Sequence, residues 1–249
     1  MDTSQVDMDN NIDTRAGHIV KSFDDDLSHL KGQIREMGIL VNQQLERVLE
    51  VLAKRDKELA QIVIDSDPEI DELEQEIDDF AVRIIALRQP VGRDLRRVVS
   101  SLKVSSHLER IADYATNIAK RTQTLPDITK VPGIGAIPRM IKTAQQMIID
   151  VVEAYLSKDD EKAVEVWNRD VELDDMYMSF LREMLTYMME DPRNITICTQ
   201  LLFMAKNIER AGDHATNIAE LVNYLVHGKN FEDARPKGKH EDIVSMGMD

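Results

Sequence analysis

The chain has 249 residues, 43% of them apolar and only 4% aromatic, with ten Gly, seven Pro, a single cysteine (Cys198) and a formal net charge of −15. This composition points to an all-α protein, and one cysteine excludes an intramolecular disulfide and a Cys-rich zinc site. The acidic field argues against nucleic acid and anionic lipid as partners, and no apolar run approaches the roughly 20 residues of a membrane span.

Residues 1–14 are polar and acidic, unlike a signal or transit peptide, and are expected as a disordered tail of a cytoplasmic protein without membrane insertion. Residues 15–123 are expected as a first three-helix bundle. Phe23, Leu27, Leu30, Ile34, Met37, Val41, Leu45, Val48 and Leu52 alternate steps of three and four, which predicts one long amphipathic helix. Asp56 is placed to cap the next helix, which carries Leu59, Val63, Ile70, Leu73, Ile77 and Ile84. Pro68 lies within it and should kink or break it. The stretch "RQPVGRD" (88–94) reads as a tight turn, and a third helix follows through Leu108, Ile111, Ala115 and Ile118.

Residues 124–138, with three prolines and two glycines, read as a linker. A second three-helix bundle is expected over 139–227. Its first helix holds Met140, Ala144, Met147, Val151 and Tyr155. Asp159 or Asp160 caps the second, which runs through Trp167, Leu173, Phe180 and Met184. Asp191 and Pro192 open the third, which runs to about Val226. Residues 228–249 are expected as a disordered tail. The fold class is therefore all-α, six long helices in a tandem repeat of two antiparallel three-helix bundles. The thirteen Met and Cys198 are expected to fill the core.

The third helix of each half repeats one motif. "HLERIADYATNIA" from His107 and "NIERAGDHATNIA" from Asn207 share eight of thirteen positions. Glu109, Asp113 and Thr116 form a stripe roughly 120–140° from the apolar centre, and Glu209, Asp213 and Thr216 repeat it. Two acids one turn apart repel, so a helix built only for stability would place a base at one of them. The preceding helices supply matching pairs, Asp67 with Asp71 and Asp170 with Asp174.

In an antiparallel hairpin, residues equidistant from the bend lie side by side. Asp71 with Glu109, and Asp67 with Asp113, both centre on Pro90. Asp174 with Glu209, and Asp170 with Asp213, both centre between Asp191 and Pro192. Two carboxylates about 5 Å apart repel by roughly 3 kcal/mol at an effective dielectric of ~20. Four clustered acids therefore require protonation, covering bases or a bound cation. An all-carboxylate set suits Mg²⁺, Mn²⁺, Ca²⁺ or iron, and His214 beside Asp213 could add a nitrogen ligand and tilt that site towards zinc or iron.

The two "ERxxD" motifs, the facing "DxxxD" pairs, "ALRQPVGRDLR" (86–96) and "TYMMEDPRNI" (186–195) together resemble the PhoU family of bacterial phosphate-uptake regulators, in register from about His18 to Gly228. The resemblance implies two three-helix bundles related by pseudo-twofold symmetry and a non-enzymatic regulator. Such a protein links the ATPase subunit of a phosphate ABC transporter to a phosphate-sensing histidine kinase, and acts as a negative regulator when phosphate is plentiful. It implies a homodimer. It also implies iron, zinc or another divalent cation, held by Asp67, Asp71, Glu109 and Asp113 in one half and by Asp170, Asp174, Glu209 and Asp213 in the other.

Two rivals stand beside this reading. A metal-dependent helical-bundle enzyme would need Glu-x-x-His pairs, and the chain contains none. The other is a metal-free helical scaffold. A direct phosphate sensor finds no support in a Gly-rich anion loop.

Overall fold

The computed structural model describes residues 4–125, 131, 133–229 and 231, with side chains from residue 22 onward. Among the described residues seven α-helices follow one another: α1 Ser4–Lys54, α2 Lys57–Asp65, α3 Asp67–Arg88, α4 Gly92–Thr124, α5 Ala136–Ser157, α6 Asp160–Glu190 and α7 Ile195–His227. There is no strand among the described residues, and the all-helical architecture matches the expectation. The seventh helix arises because the expected second rod is broken. Pro68 sits in the first turn of α3, where its missing N–H costs nothing, and Ser66 separates α2 from α3.

The capping residues act as anticipated. The Asp56 carboxylate accepts from the Glu58 and Leu59 amides at the start of α2, and Asp159 accepts from the Lys162 amide at the start of α6. Asp191 accepts from the Arg193 amide and opens a short 3₁₀ turn, Pro192–Asn194, that leads into α7.

The expected boundaries shift at three places. Residues 4–14 are helical, not a tail, because nothing between Ser4 and Gly17 breaks a helix, however polar the stretch. At the expected linker, α4 takes in Thr124 and α5 reaches back to Ala136; residues 126–130 and 132 lie outside the described residues. In the expected C-terminal tail, the Phe231 ring packs on Trp167 with centroids 4.8 Å apart, because burying two aromatic faces against each other is favourable. Of that tail, residue 230 and residues from 232 on lie outside the described residues.

One continuous core runs through both halves. Ile34, Met37, Val41 and Val48 of α1 are buried, as are Leu108, Ile111 and Ile118 of α4 and Cys198, Leu201 and Ile218 of α7. Met140, Met147, Met184 and Met204 are fully buried, the filler role expected of the methionines, but Met189 departs from it, 80% exposed near the end of α6. Helices α4 and α7 pack on one another, and α1 packs on both α4 and α5. The α4–α7 pair is antiparallel: Arg121 Nη1 donates to Gln200 Oε1 at 2.6 Å, and His107 meets His214 Nδ1 to Nδ1 at 2.9 Å, both pairs at one level sum along the helices. Among the described residues, no helix is long and apolar enough to cross a membrane.

Candidate functional site

Helix α3 closes at Gln89, which takes a left-handed conformation (φ 49°) and returns its amide to the Ile85 carbonyl. The chain then reverses through Pro90 and Val91 into α4. This bend sets the level at which the acids of α3 meet those of α4. The Thr116 hydroxyl donates to Asp67 Oδ1 at 3.0 Å, which ties the start of α3 to the middle of α4. Burial raises the Asp67 carboxyl above its ordinary value, and Asp113 and Asp71 raise it further against the Thr116 hydrogen bond.

Glu109 is the most perturbed acid of the cluster. Burial, then the charge of Asp113, push it up to about 7, with Glu74 and Asp71 adding to the shift. Arg110 opposes them, its Nε 3.3 Å from Glu109 and its Nη1 3.2 Å from Asp113. Glu74 lies in the same field. Burial and the neighbouring Asp78 raise it, while a hydrogen bond from Ser106 pulls it back. Asp67 thus lies in the field of Asp71 and Asp113, and Glu109 in the field of Asp113, Glu74 and Asp71.

The second hairpin repeats the frame. The Thr216 hydroxyl donates to Asp170 Oδ1 at 3.1 Å and lies 3.0 Å from the Gly212 carbonyl. Asp170 is only 2% exposed. Asp174 lies one turn further along α6, half-buried. Burial raises the Glu209 carboxyl, and Asp213 and Asp170 add to it. Here, however, the protein supplies its own cation. Lys206 Nζ lies 2.6 Å from Glu209 Oε1 and 5.2 Å from the centre of the Tyr177 ring. Glu209 Oε2 is buried with no hydrogen-bond partner.

The two stripes are not the open shoulder that helical-wheel geometry suggests. Thr116 and Thr216 are buried, and the Glu109 and Glu209 side chains are only 14% and 12% exposed. The reason is that α3 and α6 lie across this side of α4 and α7 and cover it. His214, expected as a possible nitrogen ligand, meets His107 and, at 3.4 Å, the Tyr114 hydroxyl.

Three residues that shape the clusters escaped the sequence reading. Glu74 joins the first set from one turn beyond Asp71. Lys206 stands where the first half has Ser106, and Tyr177 stands where it has Glu74. The signal was present, since Lys206 and Glu209 are three apart and share a face.

Oxygen donors of this kind suit a hard or borderline divalent cation. In the first cluster the half-exposed Arg110 contacts Glu109 and Asp113, and the charge of Lys120 acts on Asp67; the second has Lys206 in place. Yet among the described residues no three His, Cys, Asp or Glu side chains converge closely enough to hold an ion. Asp67, Glu109, Asp113, Asp170 and Glu209 are engaged by Thr116, Arg110, Thr216 and Lys206, so binding a metal through them requires them to swing away from these partners.

The sequence matches the PhoU domain twice, over residues 34–122 and 137–222. It is 45% identical over 221 residues to a phosphate-specific transport system accessory protein PhoU homolog of Caulobacter vibrioides strain NA1000, covering 88% of this chain and 96% of that one. The corresponding protein of Zymomonas mobilis is 45% identical over 223 residues, covering 90% and 94%. The fold is similar to the crystal structure of PhoU from Pseudomonas aeruginosa, with a TM-score of 0.79, 38% identity, and coverage of 83% of this chain and all of that one. The phosphate transport system regulatory protein PhoU from Streptococcus pneumoniae aligns with a TM-score of 0.79 and 29% identity, over 85% of this chain and all of the other.

Proposed function

The chain belongs to the PhoU family, and from that membership we propose that it is a cytoplasmic adaptor, working between the ATPase subunit of the phosphate transporter and a phosphate-sensing histidine kinase. Its role lies on the accessory and regulatory side of phosphate transport, and it is not an enzyme. In the proposed scheme it acts as a homodimer that restrains both partners when phosphate is plentiful.

The observation that carries the adaptor reading is the exposure of large apolar side chains at both hairpin bends. Leu87 and Val91 are 68% and 80% exposed at the α3–α4 bend; Met189 and Ile195 are 80% and 49% exposed at the α6–α7 bend. Exposed apolar residues that cluster mark interaction sites. Because α4 and α7 are antiparallel, the two bends lie at opposite ends of a pair of 33-residue helices, roughly 50 Å apart. Two docking points so placed suit a protein that holds two partners at once.

Metal binding is part of the proposal. Asp67, Asp71, Glu109 and Asp113, joined by Glu74, would hold iron, zinc or another divalent cation in the first half. Asp170, Asp174, Glu209 and Asp213 form the corresponding set, with a smaller demand because Lys206 already neutralises Glu209. The ion would supply positive charge and lock the hairpin. A metal-free scaffold is the second reading, and the absence of three converging ligands among the described residues favours it.

The test is affinity capture of the tagged chain from cells grown in high and in low phosphate. Recovery of the transporter ATPase and the kinase, with Leu87→Asp/Val91→Asp and Met189→Asp/Ile195→Asp each losing one of them, is the expected result. Recovery of neither partner by the unmodified chain overturns the adaptor. Elemental analysis of the same purified protein separates the metal-bound from the metal-free form.

A further inference from the structure

The "RQPVGRD" bend singled out from the sequence does more than reverse the chain. Helix α4 begins at Gly92 without any side-chain cap; the Asp94 amide returns to the Val91 carbonyl at 3.2 Å, and no side chain caps the amides before it. In front of them lies a cavity of about 450 Å³, bordered by Arg93, Asp94 and Arg97 of α4, by Lys158 at the end of α5, and by Leu225 and Val226 near the end of α7. A narrow recess continues inward, where Lys31 of α1 joins Arg97 and Lys158, and where the Ser101 and Tyr155 hydroxyls lie 2.9 Å apart.

The charge of this cavity runs against that of the whole protein. In a chain of net charge −15, four cationic side chains from three helices face one carboxylate, Asp94, which pairs with Arg97 at 3.4 Å. Partial desolvation, then the charges of Arg97, Lys31 and Arg93, hold the Lys158 ammonium below its ordinary value against Asp94, although Lys158, like Arg93 and Lys31, stands exposed on the rim. Lys158 also adopts a left-handed backbone (φ 61°), which an L-residue with a Cβ takes at a cost. Nearby, Arg96 lies against Gly228, and its Nε is buried with no hydrogen-bond partner. Folding has brought mutually repelling cations together around an open volume, beside a helix N-terminus whose dipole favours negative charge.

We propose that this cavity binds a small multivalent oxyanion of the phosphate class, free or carried on a nucleotide. Arg93, Arg97, Lys158 and Lys31 would supply charge-assisted hydrogen bonds, and the α4 amides would add theirs. No glycine-rich loop is needed, because side chains and an uncapped helix do its work. The site draws on α1 and α4 from the first half and on α5 and α7 from the second. A bound anion would therefore clamp the halves together at the end that carries the exposed Leu87 and Val91. The proposal does not depend on the adaptor reading or on any metal.

Isothermal titration calorimetry on the full chain tests it, with inorganic phosphate, pyrophosphate and ATP as separate probes. One saturable site per chain is expected for at least one of them. Arg97→Gln and Lys158→Gln should each weaken it by roughly tenfold or more, since hydrogen bonds to charged groups are worth that much. Asp94→Asn removes the one opposing carboxylate and should tighten it several-fold, a gain that misfolding cannot mimic. Lys142→Gln, on α5 but away from the cavity, should change nothing. Saturation by phosphate alone identifies a free anion, and saturation by ATP with little response to phosphate identifies a nucleotide. No saturation at millimolar probe, or binding that Arg97→Gln, Lys158→Gln and Asp94→Asn leave unchanged, overturns the proposal.

Discussion

Replacing Lys206 with Ser makes the second acidic cluster chemically like the first, where Ser106 holds the corresponding place. The substitution removes an ammonium 2.6 Å from a carboxylate that is only 12% exposed. Breaking a fully buried ion pair from one side costs about 3–5 kcal/mol. Lys206 itself is 39% exposed, so solvent already screens part of the interaction and about 1–2 kcal/mol is expected. The pH dependence gives the sign. Glu209 is raised above its ordinary value even with Lys206 beside it, and losing the lysine raises it further. The folded state then binds a proton more tightly than the unfolded one. Stability is therefore lost as pH rises from the unfolded value of ~4.3 through the higher folded value. Urea unfolding in EDTA should show Lys206→Ser matching the unmodified chain near pH 4 and falling behind it by about 1–2 kcal/mol at pH 8. Adding Mn²⁺ at pH 8 should stabilise the variant more than the unmodified chain. A deficit of equal size at both pH values would mean that Lys206 acts by packing on Tyr177, and the charge account of the cluster would fail.

Glu109→Gln should act in the opposite direction in the first half. Glu109 titrates at about 7 in the folded protein, so its ionisation opposes folding progressively from about pH 4.5 upward. The unmodified chain should lose up to ~3 kcal/mol between pH 5 and 8 that the variant retains, and chemical unfolding at the two pH values reads the difference. Thr216→Val removes the buried hydroxyl that donates to Asp170 and should cost about 1–3 kcal/mol. Thr116→Val should cost less, because Asp67 is half-buried; parallel urea melts compare them. Gly212→Ala would place a Cβ 2.4 Å from Leu173 Cδ2, and overpacking of about 1–3 kcal/mol should lower its melting temperature. An unchanged melting temperature would mean that α6 yields at this contact.

What could be read from residue order was whatever depends on near neighbours. The spacing of Ile34, Met37 and Val41 makes a helix wherever it occurs, and Asp56, Asp159 and Asp191 cap helices through bonds spanning two or three residues. Even the influence of the Asp113 charge on Asp67 follows from counting outward from Pro90, because a short bend limits the register of an antiparallel hairpin. Pro68 announced its break for the same local reason.

The remainder was settled by which distant surfaces came to rest on one another. Thr116 and Thr216 are buried because α3 and α6 lie over them, a choice that no helical wheel contains. His214 also meets His107, 107 residues earlier in the chain, across the α4–α7 contact. The basic cavity assembles Lys31, Arg97, Lys158 and Leu225 from four helices spread across most of the chain, each one ordinary in its own segment. Periodicity reports which face of a helix is apolar. Only packing decides what covers the other faces, and the electrostatics of both the acidic hairpins and the basic cavity belong to those covered faces.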